Sequence, residues 1–235
     1  MRDSATHPDD AASLDAAPTG GVEQTTWQHL ADADPIAVRD PLAELLGVVP
    51  AGDPLVVSFA DVVLRAGHAC PAVAGAYRST QLALDELYQA GTPVRSRIKV
   101  VVGGDPADPG LGPMANVVSH VTGADRETGF TGFGGYGGRQ DLLSFGDLDG
   151  PGRTFEFTRT DTEQAVRVSF ASGAVGMSPP DGGDGGVTDL IPKLVAGEAT
   201  DAERDQFQDE WHTRVQRVLD ATPGEDSPFT LAVPE

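Results

Sequence analysis

Apolar residues recur along this chain at two periods, and the periods mark the elements. From Pro71 to about Ala90, the positions Ala74, Tyr77, Gln81, Leu84 and Tyr88 repeat at the spacing of one helix face, with Val73 and Leu87 beside them. Pro71 suits the first position of that helix, where its missing N–H leaves nothing unpaired, and Gly91 supplies a stop. A second long helix is predicted from Thr200 to about Asp220. It opens on the capping form Thr-x-x-Glu (Thr200, Glu203) and carries a stripe of Phe207, Trp211, Val215, Val218 and Leu219. Shorter helices are predicted over Pro41 to Val49, Val56 to Gly67 with Ser58 as cap, Met114 to Thr122 before Gly123, and Val187 to Ala196 before Gly197. The start of the second of these, Val56 to Phe59, also reads as strand. Ser96 to Val102 is a strand, and Asp141–Phe145, Thr154–Arg159 and Ala165–Phe170 follow it. The last two alternate apolar with polar residues around Thr160–Glu163, a hairpin turn.

This order of elements gives an α+β fold, a mixed β-sheet with packed helices. Residues 1–25 hold Asp, Pro, Gly, Thr and Ala without an apolar period and read as a flexible acidic arm. Residues 26–220 read as a single domain, joined to the arm through Trp27, Leu30, Ile36 and Val38, and 221–235 as a loosely held tail. Gly103–Pro113 and Ser172–Gly186 are loops.

Charge changes the picture of the surface. The formal net charge is −20, the acids are spread over the whole chain, and Lys99 and Lys193 are its only lysines. That composition fits a protein adapted to a salt-rich cytoplasm, where the screening length falls to about 3 Å at 1 M. The fold is therefore expected to need high ionic strength. Thermal melts at low and at molar KCl check this: the midpoint should rise with salt, and equal midpoints would contradict a halophilic surface. Such a surface repels phosphate backbones, so nucleic acid is not an expected partner. No run of about 18 apolar residues calls for a membrane. Met1–Ala17 lacks a basic start followed by an apolar stretch, and one cysteine makes no internal disulfide, so the expected location is cytoplasmic.

That cysteine, Cys70, sits in Gly67-His68-Ala69-Cys70-Pro71 at the start of the long helix. Unpaired N–H groups and the positive end of the helix favour a thiolate there. With His68 two residues earlier, the turn offers a thiolate and an imidazole, which suit zinc and other borderline-soft metals. They equally suit nucleophilic catalysis, with Cys70 as the nucleophile and His68 or His120 as the base. An inert cysteine in a structural interaction domain is the third reading. His120 is a candidate third metal ligand, while His7, His29 and His212 read as solvent-facing. The glycine-dense Gly132–Gly138 lacks the Lys-Ser/Thr of a phosphate loop and reads as a hairpin bend or tight packing, with Arg139 after it as an anion candidate.

The run Gly67-His-Ala-Cys-Pro-Ala-Val-Ala-Gly-Ala-Tyr-Arg78 resembles the Gly-His-x-Cys-Pro-Gly-x-x-x-Gly-Tyr-Arg signature of the formylmethanofuran dehydrogenase E-type family. Gly134–Arg139, Asp141–Phe145, Phe155–Arg159 and Ala165–Val168 are similar to that family's glycine turn and following strands, and Leu194–Leu219 to its C-terminal helical end. The resemblance spans about Phe59 to Leu219. It implies a core shaped like the catalytic domain of glyceraldehyde-phosphate dehydrogenases, a homodimer, and a metal, commonly zinc, near His68 and Cys70. An accessory or sensing role, with a small-molecule ligand, is compatible with it. The chain departs from the pattern at Ala72, where the family has Gly, and at Phe130, where the family's Gly-Cys-Thr has its cysteine. A two-cysteine redox mechanism within one chain is thereby excluded.

Overall fold

The structure, a computed structural model, describes residues 30, 33–175, 187–224 and 226–234. The expected arm with His7, the residues Trp27 and His29, and most of the Ser172–Gly186 loop lie outside the described residues. Among those described, the fold is mixed α+β, and none of its helices is long and apolar enough to cross a membrane.

Five strands form the main sheet: β3 (Ile98–Gly103), β4 (Leu143–Gly146), β5 (Arg153–Arg159), β6 (Ala165–Phe170) and β7 (Phe229–Ala232). Their order is β4-β3-β5-β6-β7, with β3 and β4 parallel and the other pairs antiparallel. The register puts Val100 opposite Phe157 and Val102 opposite Phe155, while Phe155 and Phe157 face Val168 and Val166. All six are buried, so alternation along each strand builds one apolar face. The other face carries Lys99, Glu156 and Arg167, and Glu156 and Arg167 are cross-strand partners joined by an ion pair at 2.7 Å.

The α-helices named among the described residues are α1 (Pro41–Leu45), α2 (Phe59–Ala66), α3 (Pro71–Leu87), α4 (Leu111–Thr122), α5 (Ile191–Val195) and α6 (Asp201–Leu219). α3 is the central one, packing against β5 and β6 and against α2, α4 and α6. It presses onto the sheet at Gly75: a Cβ built there would lie 2.4 Å from Phe170 Cε1 and 2.5 Å from Cδ1. Overfilling so tight a contact costs about 1–3 kcal/mol. Gly75→Ala should lower the urea midpoint accordingly, and an unchanged midpoint would mean that α3 and β6 do not meet this closely.

The caps explain where the helices begin. Ser58 and Asp61 form a reciprocal capping box at α2, and Thr200 and Glu203 form another at α6. Val56 and Val57, readable as strand or helix, belong to β2 (Leu55–Val57), which pairs antiparallel with β1 (Ile36–Val38) in a separate two-stranded sheet. The α3 helix ends at Leu87, short of the expected Ala90, and the 187–196 helix divides into a 3-10 turn (Val187–Leu190) and α5.

Within the expected C-terminal tail, 221–235, Phe229–Ala232 pairs with β6 as the edge strand β7. Phe229 is buried and stacks on Phe170 with ring centroids 5.1 Å apart. Hydrophobic burial late in the chain thus extends the sheet by one strand.

Candidate functional site

The Gly-His-Ala-Cys-Pro turn joins α2 to α3. α2 ends on Gly67, which takes the left-handed conformation (φ 77°) that a side chain disfavours, and its N–H closes the helix onto Val63 O. Cys70 is then the N-cap of α3: its backbone is extended, and its Sγ accepts from Val73 N–H at 3.5 Å. Sulfur replaces the hydroxyl or carboxylate oxygen usual at this position. Pro71 follows at the first helical position and is buried. The turn is anchored from across the chain by α6, where Trp211 Nε1 donates to Ala69 O at 2.8 Å and the indole stacks on Phe207. Trp211 is readable in the sequence as part of an apolar stripe; its indole N–H as the anchor of the cysteine turn is not.

Cys70 is half-buried, and burial pushes its thiol above the ordinary range, while the N–H groups of Val73 and Ala72 pull the other way. Desolvation is the larger effect, so the helix start does not yield a standing thiolate. His68 is exposed. Its Nδ1 lies 3.1 Å from Ala66 O, and since a carbonyl only accepts, Nδ1 carries the proton. In the neutral ring this leaves the Nε2 lone pair outward, the arrangement in which an imidazole binds a metal with its other nitrogen held by a carbonyl.

His120 is placed elsewhere in the network. It sits in the last turn of α4, half-buried, and its backbone carbonyl accepts from Arg95 Nη2 at 2.7 Å. Burial lowers the pKa of its imidazole, and Arg95 lowers it further; Asp61 acts in the opposite sense and Arg65 in the same sense. Among the described residues no three His, Cys, Asp or Glu side chains form a group that could hold a metal ion. His68, Cys70 and His120 therefore do not make a three-ligand site within one chain.

The glycine-dense segment is a tight hairpin, as its composition indicates. Phe133 and Tyr136 exchange N–H···O bonds of 3.0 and 3.1 Å around Gly134-Gly135, both at positive φ. Arg139 is committed: it donates to Asp40, which also takes Arg95 Nη1 at 3.4 Å and caps α1 through Leu42 and Ala43 N–H. Asp40 before Pro41 is recognisable as a helix start, but its two arginines, 55 and 99 residues away, leave no sign in the sequence.

Comparison with models of known families gives no match to this chain, and comparison with curated proteins gives none.

Proposed function

We propose that this chain is a metal-binding protein of the formylmethanofuran dehydrogenase E type, with an accessory or sensing role, in which His68 Nε2 and Cys70 Sγ supply half of a zinc site. The observation that carries this reading is the Nδ1–H···O bond from His68 to Ala66, which fixes the ligating tautomer beside a half-buried thiol. Two ligands are too few for zinc, which takes four in a structural site and three with an open position in a catalytic one. The same turn from a second copy about a two-fold axis supplies the missing pair, giving two sulfurs and two nitrogens. We read the main sheet and the helices packed with it as the glyceraldehyde-phosphate-dehydrogenase-like core that the resemblance implies. The raised thiol pKa weakens the alternative of Cys70 as a nucleophile at neutral pH, because the reactive thiolate is scarce before a metal displaces the proton.

Zinc reconstitution of untagged protein tests this. The wild type should take up zinc and release a proton from Cys70, with occupancy falling as pH drops below neutral. Cys70→Ser and His68→Ala should each lose the metal while keeping the wild-type circular dichroism, because the core lies under α3 and the sheet. Full occupancy in Cys70→Ser would remove the site from this turn.

A further inference from the structure

A cleft of about 340 Å³ lies between the glycine hairpin and the segments around Arg39 and Arg97, lined by Pro41, Ser96, Gly135, Tyr136 and Gly137 among others. Its charge is opposite to that of the protein. Arg39 and Arg97 line it, and Arg95 and Arg139 follow lining residues along the chain. Two carboxylates answer them. Glu44 takes Arg39 in a two-pronged contact at 2.8 and 2.8 Å, and Asp40 is shared by Arg95 and Arg139. Arg97 is the guanidinium left over. It is exposed, and its nearest acid is Asp161 at 3.9 Å, whose carboxylate is already held by Arg159 at 2.8 and 3.0 Å. The cleft lining thus carries the guanidiniums of Arg39 and Arg97 and no carboxylate, on a chain of net charge −20.

The backbone supplies donors beside them. The N–H groups of Gly135 and Gly137 make no backbone hydrogen bond among the described residues, and both glycines have positive φ (87° and 69°). Also in the lining, Ser96 has φ 68°, and Arg97 N–H closes a turn onto Val94 O. A serine kept in the region that glycine occupies without strain adds a hydroxyl to the cleft at a conformational cost.

We infer that this cleft binds a phosphate group, free or as a small monoester, with the Arg97 guanidinium as its principal charge and the Gly135 and Gly137 amides, Ser96 and Tyr136 as neutral donors. A tetrahedral oxyanion matches the Arg97 guanidinium and the neutral donors that line the same cleft.

The test is a titration of the isotope-labelled full chain with inorganic phosphate, and separately with phenyl phosphate, followed by amide NMR at constant ionic strength set with KCl. Saturable shifts of Gly135, Gly137 and Arg97 are expected. Arg97→Gln, a change at an exposed side chain, should weaken binding about tenfold. Arg126→Gln, which removes an exposed guanidinium outside the cleft, should leave it unchanged. Tighter binding of phenyl phosphate would assign the site to a monoester, and equal binding to free phosphate. Linear, unsaturated shifts, or equal affinity in wild type and Arg97→Gln, would overturn the proposal.

Discussion

Phe229→Ala is expected to destabilise the protein by about 3–5 kcal/mol, although the residue belongs to a short edge strand. Its ring is buried, stacks on Phe170, and through Phe170 reaches Gly75 on α3. Truncation would leave a cavity beside the contact that seats α3 on the sheet, and the close fit at Gly75 leaves little room for α3 to collapse into it. Against a typical total stability of about 5–15 kcal/mol, that loss is large. Equilibrium urea unfolding in high salt gives the value. A change below about 1 kcal/mol, the size of an ordinary surface substitution or little more, would mean that Phe229–Ala232 is not part of the folded sheet.

The second large effect is expected at Asp40. Its carboxylate is buried and holds the guanidiniums of Arg95 and Arg139 while accepting from Leu42 and Ala43 N–H. Arg95 is itself mostly buried, so burial lowers its pKa and the neighbouring Arg139 lowers it further, with Asp40 opposing both. Removing the acid alone leaves two cations facing each other without a counter-charge, which typically costs about 3–5 kcal/mol. Asp40→Ala should lose this much. Asp40→Asn should lose less, because the amide oxygen still caps α1. Unfolding curves for the two variants check the order. A full loss in Asp40→Asn would show that the charge alone matters, and no loss in it would show that Asp40 provides only the cap.

These two residues also show what can be read from the sequence. Ser58, Thr200 and Gly123 announce helix ends because a cap is satisfied within three or four residues of itself, and the structure places an end at each. The strands Thr154–Arg159 and Ala165–Phe170 are legible because alternation is local and a short turn joins them. Phe229–Ala232 is not: a four-residue strand carries too little pattern, and what makes it a strand is the distant β6. At the candidate site, the turn and the position of Cys70 at the helix start follow from Gly67 and Pro71 alone. The imidazole's hold on Ala66 O depends on how α2 ends in space, and the pin from Trp211 spans 142 residues. His120 is attractive as a third ligand because it ends an apolar helix, yet its backbone is engaged with Arg95 and its side chain feels Arg65 and Asp61.

The half-site is tested most directly by counting zinc and chains together. Sedimentation equilibrium of the zinc-reconstituted protein in molar KCl, with zinc determined on the same fraction, gives both numbers. The expected result is a species of twice the 24.4 kDa chain mass carrying one zinc per two chains, with no zinc in Cys70→Ser. One zinc on a single 24.4 kDa chain, or none on the wild type, would contradict it.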